Sequence, residues 1–175
     1  MSLDENVIKR TKDWVDKVVI GLNLCPFAKP VFDENKIAYR VHGESDCEDE
    51  WVLKSFKELD ADDELETSLL IFPEFYDDFH TFLELVALAQ FILEENNYEG
   101  VYQLAHFHPN YLFEGEDEGA VSHYTNRSPY PILHLLREES LTKALETYPN
   151  PESIPERNIA KLNELGLDEV KKLLG

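Results

Sequence analysis

The chain has 175 residues, 43% of them hydrophobic, which suits one domain with a sizeable core and excludes wholesale disorder. Sixteen Lys and Arg against thirty-six Asp and Glu give 16 − 36 = −20, a field that repels nucleic-acid phosphates and anionic membranes. Charges at Asp4, Glu5, Lys9, Arg10, Lys12 and Asp13 leave no signal peptide or spanning helix near the N-terminus, and two cysteines are too few for a disulfide framework, so a cytoplasmic protein with free thiols is expected.

Val7, Ile8, Val15, Val18, Val19 and Leu22 recur at helical spacing, so residues 4–23 are expected to form an amphipathic helix that Pro26 ends. Lys36 to Val41 alternates like a strand. Ser45 and Glu48 have the spacing of a capping box opening a helix through Leu59. Thr67 to Phe72 is a continuous apolar run of strand length, the pattern of a strand covered on both faces. A second helix is expected over Phe75 to Leu93, closed by Asn96 and Asn97, and a third strand over Val101 to Phe107.

Residues 109–130 lack periodicity and carry Pro109, Gly115, Gly119 and Pro129, the composition of a lid, a binding loop or a disordered segment. Pro131 suits the first turn of a helix. Ser140 can cap a further segment through Tyr148, and Pro149, Pro151 and Pro155 lead into two short terminal helices. Strands alternating with helices point to an α/β domain: a small, mainly parallel sheet of three or slightly more strands covered by helices, with a C-terminal helical segment. A two-layer α+β arrangement is the alternative.

The chemistry concentrates between Gln103 and Glu138. His106 and His108 stand two apart at a strand end, where a period of two aims both rings to one face and could hold a divalent transition metal or move protons. On a helix from Pro131, His134, Arg137 and Glu138 would share a polar face opposite Ile132, Leu133, Leu135 and Leu136. Asn126, Arg127 and Ser128 would then sit at that helix's N-terminus, where anions bind readily. Cys25, between a helix and Pro26, suits a packed turn or a positioned thiol. The Glu114 to Gly119 stretch is acidic without the spaced oxygens of a calcium loop. A phosphate-cradling glycine loop, a nucleophile elbow and a helical zincin motif are all absent from the sequence.

Three segments carry a resemblance: Val19-Ile-Gly-Leu-Asn-Leu-Cys-Pro-Phe-Ala-Lys29, Gln103-Leu-Ala-His-Phe-His-Pro109 and Tyr124-Thr-Asn-Arg-Ser-Pro-Tyr-Pro-Ile-Leu-His-Leu-Leu-Arg-Glu138. Over about Trp14 to Leu145 the chain resembles the bacterial family labelled domain of unknown function 1415, while Glu114 to Val121 is less typical of it. That resemblance implies no activity and no catalytic residue.

From the residues alone, the expectation is a site for a small anionic metabolite, bound or chemically altered. Arg127 and Arg137 would clamp the anion with Asn126 and Ser128 beside them, and His106, His108, His134 and Cys25 would be available for catalysis. His106, His108, Arg127 and His134 are expected to face one cavity, with Arg137 on its wall. The alternative is a non-catalytic interaction domain whose acidic surface recruits a basic protein. Ile37, Tyr39, Leu69, Leu70, Ile71, Val86, Val101 and Leu104 are expected to share one core.

Overall fold

The computed structural model describes residues 2–174. Ser2 starts the first helix: its hydroxyl accepts the Glu5 N–H while its own N–H donates to the Glu5 carboxylate at 2.7 Å, a reciprocal capping box. Helix α1 (Leu3–Trp14) passes without a break into a π-helical turn over Val15–Ile20. That turn brings the chain close to itself at Gly21, where a Cβ would lie 2.2 Å from the Lys17 carbonyl oxygen. The six-residue helix α2 (Ala28–Asp33) follows, and then strand β1 (Ile37–Val41).

Helix α3 (Glu48–Asp60) begins after Cys47, with no side chain capping it, so the expected Ser45 and Glu48 box does not form. Three acidic residues in its first turn, Glu48, Asp49 and Glu50, complement the helix dipole instead. Strand β2 (Thr67–Ile71) is buried at every position, as an unalternating apolar run requires. Helix α4 (Phe79–Glu95) starts four residues later than expected, because the Asp78 side chain accepts the His80 N–H and sets the N-terminus there. Strand β3 (Tyr102–Phe107) follows, leaving Val101 outside it and 43% exposed.

The largest departure from expectation lies after Pro131. Ile132–Arg137 is not a helix but strand β4, which pairs antiparallel with both β2 and β3. Ile132, His134 and Leu136 face one side of the sheet, while Leu133, Leu135 and Arg137 face the other. One side is covered and the other partly so, and apolar residues occupy both sets, so the alternation that marks a half-buried strand is lost. Helix α5 (Glu138–Thr147) begins where β4 ends, and α6 (Ile154–Leu165) and α7 (Leu167–Leu174) close the described chain.

The sheet order is β1-β2-β4-β3. The three strands expected from the sequence do run in one direction, since β1 and β2 pair in parallel and β3 shares their sense; β4 enters between β2 and β3 and runs against them. The fold is therefore mixed α/β with helices on both faces. On one face α3 and α4 pack Phe56, Phe82 and Ala89 against Leu70, Leu133 and Leu135. On the other, α1, the π turn, α6 and α7 bring Val7, Val18, Leu162 and Val170 to Leu69, Ile71 and Ile132. The residues expected in one core divide between these two, with Leu69 and Ile71 on the second face and Leu70 and Leu104 on the first. Among the described residues no helix is long and apolar enough to cross a membrane.

Candidate functional site

The second face of the sheet is only partly covered. Helices α1, α6 and α7 and the π turn pack on one portion, and the remainder forms the floor of a cavity of about 830 Å³. Its floor is Thr67 and Leu69 from β2, His134 and Leu136 from β4, and Gln103, Ala105 and Phe107 from β3. Ala105 lies directly opposite His134 in the β3–β4 register, and its short side chain leaves space above the ring. One wall comes from Trp14, Val15 and Val19 around the π turn, a second from Cys25, Phe27, Ala28, Pro30 and Val31. Helix α5 supplies the third wall through Leu141 and Ala144, and Tyr148 just past its end meets Phe27 edge to face at 5.5 Å. No residue of α5 is fully buried, and Leu141 and Ala144 on its apolar side border the cavity.

The polar centre of the floor is a short chain of hydrogen bonds. The Thr67 hydroxyl donates to the Leu135 carbonyl at 2.5 Å and lies 2.6 Å from Nε2 of His134. A carbonyl oxygen can only accept, so the single hydroxyl proton is committed to Leu135 and Nε2 must donate to Thr67. Burial pushes the His134 imidazole down to about 4. The ring is half-buried by area and borders the cavity. At neutral pH it is uncharged. Cys25 also borders the cavity as a free thiol, and burial raises its pKa, so the protonated form prevails. Charges at the mouth pair with one another: Lys36 with Glu34 at 2.8 Å and Lys143 with Glu139 at 2.5 Å.

The other residues expected at a shared site lie elsewhere. His106 projects from the opposite face, stacked on Tyr111 at 5.4 Å and beside Phe82, so the sheet separates it from His134. Its Nδ1 is buried without a partner. His108 is fully buried, and both ring nitrogens serve the backbone: Nδ1 accepts the Asn110 N–H at 2.9 Å and Nε2 donates to the Tyr76 carbonyl at 2.7 Å. It has no lone pair left for the expected metal. Among the described residues no group of three or more His, Cys, Asp or Glu is placed to hold a metal ion.

The arginines are also engaged within the protein, Arg137 through four hydrogen bonds and Arg127 through one. Arg137 sends its guanidinium to the α3 side, donating to the Leu59, Asp62 and Leu65 carbonyls and to the Tyr102 hydroxyl, so only other parts of the residue border the cavity. Arg127 lies over the Tyr124 ring at 4.2 Å and donates to the Tyr111 carbonyl. With Pro131 starting a strand, Asn126, Arg127 and Ser128 are not at a helix N-terminus. Asn126 and Ser128 instead bond to the His106 and Tyr130 carbonyls, and the Trp14 indole donates to the Arg127 carbonyl. These contacts hold the 109–130 segment in place.

Sequence reasoning overlooked two buried histidines. His123 repeats the His108 device within the long loop, accepting the Phe113 N–H and donating to the Asp117 carbonyl. His42 is buried among Trp51, Phe72 and Phe75 with both nitrogens unpartnered. Neither has a neighbouring motif that would single it out. The cavity-forming Thr67 was hidden for a different reason: its partner His134 is 67 residues away.

A family model described as "Protein of unknown function (DUF1415)" matches residues 6–172. No curated protein and no solved structure matches the chain.

Proposed function

We propose that this chain, which belongs to the DUF1415 family, binds a small and largely apolar molecule in the cavity on the open face of its sheet. The observation that carries this reading is the combination of about 830 Å³ of apolar-walled space with a few polar groups on its floor, the hydrogen-bonded pair Thr67 and His134 and the amide of Gln103. Ligand sites are commonly several hundred Å³ in volume, apolar on their walls and equipped with a few placed polar groups. The uncovered side of α5 supports the same reading, because an occupant would give Leu141 and Ala144 the contacts that the protein itself does not.

The small anionic metabolite expected from the sequence would have to draw Arg127 or Arg137 from their carbonyl partners. The lysines bordering the cavity are already paired with carboxylates. Shape and apolar contact are therefore the stronger basis for recognition. His134 is a binding group in this reading rather than a proton-transfer catalyst, since an imidazole held near 4 is a poor base at neutral pH.

Titration with N-phenyl-1-naphthylamine, an uncharged dye that brightens in apolar surroundings, tests the proposal. Wild type should bind it, and Ala105→Trp, which fills the space opposite His134, should weaken binding at least about tenfold without lowering the melting temperature. Equal binding by the variant would place the dye elsewhere and remove the proposal.

A further inference from the structure

We infer that the occupant of the cavity is a neutral hydrogen-bond donor on an apolar body, an alcohol, a phenol or an uncharged N–H compound, whose proton meets Nδ1 of His134. The inference rests on the cavity reading above and adds the chemistry of the ligand's polar end.

The Leu135 carbonyl fixes the Thr67 hydroxyl as a donor, and Thr67 then fixes Nε2 of His134 as a donor in turn. A neutral imidazole carries one N–H, so Nδ1 has only a lone pair. The protein hydrogen bonds of the ring end at Nε2, and the ring borders the cavity. The group that meets Nδ1 must therefore bring a proton of its own. An ether or a carboxylate would set lone pair against lone pair and leave a desolvated acceptor unsatisfied.

The ring could accommodate an anion by taking up a proton. Burial opposes this, since the imidazole is already held far below its ordinary value. No other cation bordering the cavity compensates: Lys36 and Lys143 are paired at the mouth, and the guanidinium of Arg137 is spent on carbonyls across the sheet. Nothing in the cavity demands a charged ligand, and Leu69, Phe107 and Leu136 around the pair favour a flat or branched apolar body.

Three naphthalenes of matched shape provide the test, each displacing N-phenyl-1-naphthylamine at pH 7.5. The donor 2-naphthol should bind about tenfold more tightly than 2-methoxynaphthalene, with 2-naphthoate weakest. His134→Phe should bring naphthol and its methyl ether within about twofold of each other. If the three bind wild type equally, or naphthoate binds best, the donor inference is overturned while the cavity reading stands. If none binds, or binding ignores Ala105→Trp, the cavity reading itself falls. A direct check needs no variant: nitrogen-15 spectra of the full chain should show His134 protonated at Nε2 and bare at Nδ1, and the opposite tautomer would overturn the inference.

Discussion

Histidine does three different jobs in this protein, and the neighbours of each ring determine which. His108 and His123 replace backbone partners in an irregular segment, one nitrogen accepting an N–H and the other donating to a carbonyl. His42 and His106 are packed among aromatic rings. His134 alone places a polar ring in the cavity floor, bound to Thr67. Its low pKa has a thermodynamic consequence. A group whose folded value lies below its unfolded value contributes stability that is present above the unfolded value and lost as pH falls toward the folded one. For His134 the window runs from about 6.5 down to about 4. Burial lowers His42, His106 and His108 too, so each adds to the loss in the same direction. Between pH 7.5 and 5.0, His134 alone should cost about 2 kcal/mol of unfolding free energy, taking ~1.4 kcal/mol per pH unit below the unfolded value. Urea titrations at the two pH values check this: wild type should lose more stability than His134→Phe by about that amount, and parallel losses would show that the ring titrates normally.

At the scale of elements, legibility followed the source of each signal. β1, β2, β3 and α3 were readable because alternation, a bare apolar run or an amphipathic stripe is written into consecutive residues. β4 was not, because one covered and one partly covered face leave Ile132 to Leu136 apolar at every position but His134, and Pro131 fits a strand end as well as a helix start. Misplacing that one element joined His134 to Arg137, since a helix puts them on one side and a strand puts them on opposite sides. Cys25 and His134 stand out in the sequence, but the cavity they border draws on all four strands, α1, the π turn, α2 and α5, which no local window contains. The π turn was also invisible to periodicity, yet Gly21 marks it. A methyl group there would meet the Lys17 carbonyl, so the turn could not persist unchanged. Gly21→Ala should therefore destabilise the protein by about 1–3 kcal/mol, against the modest stabilisation that the same change gives in an ordinary helix. It should also weaken N-phenyl-1-naphthylamine binding, because Trp14, Val15 and Val19 hang from that turn. Denaturation and dye titration of the variant measure the two effects, and a stabilised variant with intact binding would contradict the account.

Across the whole molecule, apolar packing and charge pull in opposite directions. Two cores sandwich the sheet, with Phe56, Phe82, Leu70 and Leu133 fully buried in one and Val7, Ile71 and Ile132 in the other. The surface meanwhile carries thirty-six acidic groups against sixteen basic ones. The ion pairs that offset part of this charge are exposed and mostly within single helices, such as Lys9 with Asp13 and Lys29 with Asp33. Pairs of this kind contribute about 0–1 kcal/mol each, and salt weakens them. Twenty negative charges remain uncompensated, 36 − 16, and compaction brings them within range of one another. Screening acts on both terms, but the repulsion sums over many more charge pairs than the attraction. The Debye length is about 30 Å at 0.01 M salt and about 3 Å at 1 M, so most of the repulsion is removed across that range. Raising sodium chloride from about 0.02 to 0.5 M at pH 7.5, above the lowered values of His42, His106, His108 and His134, should therefore raise the melting temperature. One to two kcal/mol of relief corresponds to roughly 3–6 °C for a chain of this size. Chloride is the appropriate anion because sulfate would strengthen apolar burial on its own account. Scanning calorimetry across the series measures the shift, and a flat or falling melting temperature would mean that the local ion pairs outweigh the net charge.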